Sequence, residues 1–349
     1  MQRRLSENKR SIAIIVALAI LLVTALSDVF MSRLENKSLK SEQKASRFLG
    51  DFLTGSDQEL ILQGTDNENR IAVLPIKGVI ENESSRVMQE RSAVNQLDAI
   101  MEDQSVRGLL LDIDSPGGTV YESARIWEKI KEVQEKREIP IYSTMGSVAA
   151  SGGYYVAAPS DKIFAAEETI TGSIGVIADY VNIAELEEKL GIKHEVIKSD
   201  DFKDIGSMSR EMTEEEREIN QSQVDEFFDK FIQVIAEGRG MTEKEVRSLS
   251  DGRVYTGKQA LENGLIDELG YYEDALELMI TDLGLEDPEV FQKVTDRSPF
   301  SQFIGVKNQE KDKKVTKTTT SFEGEVFKYI EENRSQGNLP EFYYLYGGL

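Results

Sequence analysis

From Ile71 onward, short apolar runs alternate with segments whose apolar residues recur at helical spacing, and few architectures can bury such a pattern. "IAVLPIKGVI" reads as a strand and "SAVNQLDAIMED" as a helix. "VRGLLLDIDSPGG" reads as a buried strand ending in a turn, and "YESARIWEKIKEVQEK" as an amphipathic helix stopped before Pro140. A short strand, a turn and a helix follow in "PIYSTMGSVAASGGYYVAAPS", then strands in "KIFAAEETITGSIGVI" and a helix in "NIAELEEKLGI". Strands alternating with helices imply a largely parallel α/β sheet. "GIKHEVIKSD" alternates apolar and polar residues and reads as a further strand, with His194 at its edge. Thr213 and Glu216 form a capping box that opens a long acidic helix running to about Gly238. "TGKQALENGLIDELG" adds a helix ending near Gly264.

The flanks have a different character. Ile12 to Leu26 is apolar apart from Thr24, and with its surroundings it reaches about 20 residues, roughly 30 Å as a helix and enough to cross a bilayer. Arg3, Arg4, Lys9 and Arg10 precede it, so the positive-inside rule leaves residues 1–10 in the cytoplasm and the rest of the chain outside. An uncleaved anchor over residues 11–31 is favoured over a cleaved signal peptide, for which Ala25 and Ser27 make a weak site. Residues 32–70 are polar and read as a stalk, residues 71–295 as the folded domain, and residues 296–349 as a flexible tail. The aromatic stretch "NLPEFYYLYGGL" in that tail could pack on a neighbour, enter a groove or remain disordered.

Composition removes several kinds of chemistry. The formal charge of −22 argues against nucleic acid, whose phosphates need clustered Lys and Arg. With no cysteine, disulfides, thiolate metal sites and a cysteine nucleophile are excluded. His194 is the single histidine, so no multi-histidine metal site can be built, and its strand-like surroundings do not suit the base of a serine hydrolase. No metal or phosphate-loop motif appears, so no cofactor is implied.

Two stretches hold candidate chemistry. In "MGSVAASGGYYVA", residues 145–157, Ser151 stands before Gly152 and Gly153, where the backbone can turn sharply into a helix. A serine there is either a nucleophile or a helix N-cap. In "DIDSPGGTV", residues 112–120, Gly117 and Gly118 let backbone N–H groups approach a ligand with no Cβ in the way. That is either an oxyanion hole with Gly118 as donor or a plain turn. "SEQK" (Ser41, Lys44) matches Ser-x-x-Lys but lies on a solvated linker and reads as chance.

"LLLDIDSPGG", then "GSVAASGGYYVA", then "TGSIGVI", "SDDFKDIGS" and "DGRVYTGKQALENGLIDELG" resemble, in order, the signal peptide peptidase A family of serine peptidases. The likeness covers residues 70 to 280, and the N-terminal anchor agrees with it. It implies a Clp protease/crotonase-like α/β fold of repeated β-β-α units preceded by one transmembrane helix. It also implies a Ser-Lys dyad. Ser151 matches the nucleophile, Lys203 the general base, Gly118 the oxyanion-hole glycine and Ser173 the serine that orients the lysine. Ser147 is not the matched serine and reads as structural. Without the resemblance, Lys203 would be a surface lysine in an acidic loop.

A free lysine has a pKa near about 10.4, so the base must be desolvated to work near neutrality. Asp200, Asp201 and Asp204 would oppose this if they came close; they are expected to face solvent while Phe202 and apolar groups wall in Lys203. The family implies a membrane-anchored endopeptidase outside the cytoplasmic membrane that degrades signal peptides after their release. It also implies a ring- or dome-shaped homo-oligomer, with the dyad within one chain or between chains. A crotonase-like acyl-CoA enzyme and a non-catalytic membrane assembly platform are the competing readings. The tail could serve as a substrate mimic in its own or a neighbouring groove.

Overall fold

The structure is a computed structural model, and it describes residues 57–81, 89–295 and 342–345. The expected anchor at 11–31 lies outside those residues. Among the described residues no helix is long and apolar enough to cross a membrane. Gln58–Thr295 and residues 342–345 belong to one compact unit.

The described residues begin with β1 (Asp57–Gln63) and β2 (Asp66–Lys77), followed by α1 (Gln89–Glu102), β3 (Val106–Ser115), β4 (Gly117–Thr119) and α2 (Val120–Arg137). Next come β5 (Ile141–Ala150), α3 (Gly152–Ala157), β6 (Lys162–Ala165), β7 (Ile170–Gly172), β8 (Ile177–Ala178) and α4 (Ala184–Leu190). A 3-10 turn (Asp201–Asp204) leads to α5 (Glu214–Arg239), α6 (Glu243–Ser248), β9 (Val254–Thr256) and α7 (Gly257–Glu262). Then follow β10 (Glu268–Leu269), α8 (Tyr272–Leu283), β11 (Pro288–Thr295) and β12 (Phe342–Leu345).

The main sheet has the order β1-β11-β2-β3-β5-β6-β10, with β7 on β5 and β9 on β7. Pairings from β11 across to β10 are parallel, as is β5 with β7; β7 with β9 is antiparallel. The expected mostly parallel α/β sheet is therefore present. Alternate residues of its strands feed two cores. Leu74, Leu109, Leu111 and Ile113 face a large cluster with Leu97 of α1, Ile126, Ile130 and Val133 of α2, and Phe231 and Ile235 of α5. Ile71, Val73 and Leu110 face the other side, against Ala275, Leu276 and Met279 of α8.

Local chemistry explains the helix ends. Thr119 caps α2, the buried Ile126, Ile130 and Val133 recur on one face, and Lys136 and Arg137 complement its last turn. Burying each of those aliphatic side chains contributes about 1.5–3 kcal/mol. The capping box of Thr213 and Glu216 opens α5 as expected, and the helix runs to Arg239. Gly238 lies inside it because a Cβ there would meet the Ala158 carbonyl oxygen at 2.1 Å.

Two expectations are corrected. Residues 57–70, expected as stalk, supply β1 and the start of β2, so the sheet begins at Asp57. Residues 192–198, including His194, form no strand. That segment lies exposed with no strand partner, and His194 Nε2 instead sits 3.0 Å from Glu187 Oε1 of α4.

Candidate active site

Ser151 stands where β5 ends and α3 begins. Its backbone has φ 53° and ψ −117°, an uncommon conformation for a residue with a Cβ, and the side chain forms no cap hydrogen bond. The N-cap reading therefore fails: the residue occupies the cap position without doing the cap's work. Several bonds hold the strained backbone in place. The Ser151 N–H donates to the Gly172 carbonyl (2.7 Å), and its carbonyl accepts from Tyr155 N–H (2.9 Å). Just upstream, Thr171 Oγ1 donates to the Ala149 carbonyl (2.6 Å) and Val148 N–H to Asp114 Oδ1 (3.0 Å). Ser151 is only 1% exposed.

Gly118 lies beside it through the register of the sheet. Ser115 pairs with Ala149, and a Cβ on Gly153 would meet the Ser115 carbonyl oxygen at 2.7 Å, so the Pro-Gly-Gly turn abuts the start of α3. The residue at 118 must be glycine, since a Cβ would lie 1.8 Å from the Ile80 carbonyl oxygen. Ile80 N–H donates to the Gly117 carbonyl (2.8 Å) and its own carbonyl accepts from Thr119 N–H (2.7 Å), which fixes β4 on both sides of Gly118. Gly117 itself has φ 102°.

Ser173 follows Gly172, which pairs with Ala150, so Ser151 and Ser173 each come one residue after that pair on adjacent parallel strands. Ser173 is nearly buried, has φ 50°, and its N–H donates to the Arg253 carbonyl (2.8 Å). Ser151 and Ser173 thus follow the ends of neighbouring strands of the main sheet, and Gly118 lies on β4, the short strand that comes directly after β3 of that sheet.

Beside these residues runs a second, three-stranded sheet in the order β4-β12-β8. Residues 342–345 lie antiparallel to both rims: Tyr343, Tyr344 and Leu345 pair with Thr119, Gly118 and Gly117, while Phe342 and Tyr343 pair with Ala178 and Ile177. β4 and β8 thus bound a slot one strand wide that passes directly over Gly118. The aromatic tail segment enters a groove, and does so as a strand.

Lys203 is placed differently. It is exposed in the 3-10 turn and forms no ion pair with a described residue. Phe202 is 41% exposed. Within one chain, then, Phe202 does not wall in Lys203. Asp200 and Asp201 face solvent as expected, but Asp204 turns inward: Arg210 and Lys198 bind its carboxyl and hold it far below the usual carboxylate range. None of the residues of this turn is buried, and its inward carboxylate is held by the two cations. Among the described residues no group of three or more His, Asp or Glu is arranged to hold a metal ion.

The roles of Asp114, Thr171 and Arg210 are not legible in the sequence alone. The first two lay in plain view inside "DIDSPGG" and "TGSIG"; what they bind is the strand leading to Ser151, a link visible only once the strands pair.

A mostly parallel sheet with a strained serine after one strand end, beside a slot that holds an extended peptide segment, is an arrangement that suits a serine hydrolase acting on polypeptide. Comparison with known proteins agrees. Residues 133–286 match the model of Peptidase family S49. The chain is 40% identical over 299 residues to an Enterococcus faecium protein named "Putative signal peptide peptidase SppA", spanning 84% of this chain and 85% of that one. It is 32% identical over 217 residues to the chloroplastic serine protease SPPA of Arabidopsis thaliana, spanning 62% of this chain and 31% of that one. Protease 4 of Haemophilus influenzae is 29% identical over 213 residues, with 60% of this chain and 34% of that one covered. The chain belongs to peptidase family S49 and is a serine protease of the SppA kind.

Proposed function

We propose that this protein is a membrane-anchored endopeptidase that degrades signal peptides after their release, using a dyad of Ser151 and Lys203. In this reading Ser151 Oγ attacks the scissile carbonyl and Lys203, neutral at that moment, takes its proton. The Gly118 N–H steadies the oxyanion and Ser173 orients the lysine. The observation that carries the reading is the strand 342–345 across Gly118, which marks the path an extended substrate would take by adding a strand between two rims. It also favours a peptide over an acyl-CoA as occupant. The fold reads as Clp protease/crotonase-like, since β3, the crosswise β4 and α2 form one β-β-α unit, with β2, the Ile80 bridge to Gly118 and α1 as its counterpart.

The exposure of Lys203 favours a dyad completed between copies in a homo-oligomer. The segment that leads to the turn carries exposed Leu190, Val196 and Ile197, and Phe202 is exposed beside Lys203 in the sequence, apolar groups able to dry the amine if a neighbour covers them. The segment 11–31 would hold the enzyme at the membrane where released signal peptides lie. The tail strand favours one addition: it acts as a substrate mimic.

The test is mass spectrometry of a synthetic signal peptide incubated with the wild type and with Ser151→Ala. Internal cleavage by the wild type, reduced by about 10³-fold or more in the variant, is expected. Full cleavage by Ser151→Ala would refute the assignment.

A further inference from the structure

Lys203 is set among carboxylates, Asp200 and Asp201 before it and Asp204 after it. A carboxylate near an amine favours its charged form and so spoils it as a base. The structure deals with each differently. The Asp200 side chain accepts from Asp201 N–H (2.8 Å) and caps the turn, and Asp201 is exposed. Asp204, whose side chain is 15% exposed, is gripped from two sides. Arg210 donates through Nε to Oδ2 (3.1 Å) and through Nη2 to Oδ1 (2.8 Å), and Lys198 Nζ donates to Oδ1 (2.8 Å).

The grip is anchored in the core side of the molecule. Arg210 also binds Glu216 through both terminal nitrogens, Nη1 to Oε2 at 2.8 Å and Nη2 to Oε1. Glu216 has a side chain only 3% exposed and is the capping-box residue of α5, accepting from Thr213 N–H (2.9 Å). Arg210 holds its pKa down to about 2. The backbone of the turn is caught as well: Arg210 Nη2 donates to the Asp204 carbonyl (3.2 Å), and Lys198 Nζ to the Asp201 carbonyl (2.7 Å). Arg210 Nη1 also donates to the Glu211 carbonyl (3.0 Å). A planar guanidinium that bridges two carboxylates in this way gives both charge balance and fixed direction.

We infer that Arg210 is a positioning residue for the general base: with Lys198 it withdraws the Asp204 carboxylate from Lys203 and ties the turn that presents the amine to the start of α5. This rests on the reading of Lys203 as base. The charged groups on the turn of Lys203 and bonded to it are Asp200, Asp201 and Asp204 on the turn, Lys198 before it, Arg210 after it, and Glu216 on α5 through Arg210. Of the carboxylates on the turn itself, Asp204 is the one whose charge Arg210 commits elsewhere.

The test is the pH dependence of kcat/KM for the whole chain on a fluorogenic peptide. Arg210→Gln releases Asp204, raises the pKa of the base, and moves the acidic limb about one unit to higher pH, a roughly tenfold loss near neutrality that alkaline pH restores. Adding Asp204→Asn to Arg210→Gln returns the limb toward wild type, and Arg210→Lys shifts it less than Arg210→Gln. Asp204→Asn alone, which leaves both cations in place, moves the limb to lower pH and serves if Arg210→Gln folds poorly. An unmoved limb in Arg210→Gln, an equal loss at every pH without rescue by Asp204→Asn, or an alkaline shift in Asp204→Asn alone would overturn the inference. Lys203→Ala separates the two levels: if it keeps turnover the dyad falls and takes this inference with it. If it is inactive while the Arg210→Gln limb stays put, only the inference falls.

Discussion

The surroundings of Ser151 and of Lys203 are opposites. Ser151 ends a central strand, is buried, and is held in an uncommon backbone conformation by neighbours on β3, β7 and α3. Lys203 rides an exposed turn after a segment without regular structure, tied down through Asp204, Arg210 and Lys198. The first region is complete within one chain; the second has exposed apolar side chains still to cover. The difference teaches where a catalytic pair of this kind is controlled. Under the proposed mechanism the nucleophile is a product of folding and the base a product of assembly.

The comparison breaks most visibly in a mixing experiment. Ser151→Ala and Lys203→Ala are each expected to lose about 10³-fold or more in turnover. If copies share dyads, oligomers reassembled from the two inactive variants regain activity at about one quarter of their sites. Peptidase assay of the mixture after dissociation and reassembly measures this, and no recovery would place both residues in one chain.

Gly118→Ala comes next and affects the Ser151 side alone. Its methyl group has no room against the Ile80 carbonyl, so β4 must shift. The expected result is a loss of about 10²-fold or more in kcat and a stability loss of about 1–3 kcal/mol, read by kinetics and thermal melting. Unchanged kcat would remove Gly118 from the proposed oxyanion hole. The smallest effect is expected from deleting residues 340–349. If they compete for the slot, activity on short peptides rises several-fold, as for a modest effective concentration of a tethered competitor. Kinetics identical to the whole chain would end the mimic proposal.

Much of the nucleophile's side could be read in advance, because its determinants are local or periodic. The apolar runs of β2, β3 and β5 announce a sheet, and Pro116-Gly117-Gly118 and Ser151-Gly152-Gly153 announce sharp turns at strand ends. The base's side was less legible. "KHEVIKS" alternates like a strand yet forms none, since among the described residues no strand pairs with it. β1, "DQELILQ", was passed over because Leu60, Ile61 and Leu62 are exposed and mixed with polar residues, leaving no clear buried face. The bridge from Asp204 through Arg210 to Glu216 depends on a loop folding back, which spacing alone does not reveal.

The slot between β4 and β8 has a consequence for what such an enzyme can harm. A chain lying there must offer both backbone edges at once, one to Gly117–Thr119 and the other to Ile177–Ala178. A helix has already spent those groups on itself, and a strand within a native sheet has spent them on its neighbours. If substrates follow the path of that strand, as proposed, mature proteins are screened out before any side chain is inspected, and the enzyme cuts only polypeptide that has lost or never gained its fold.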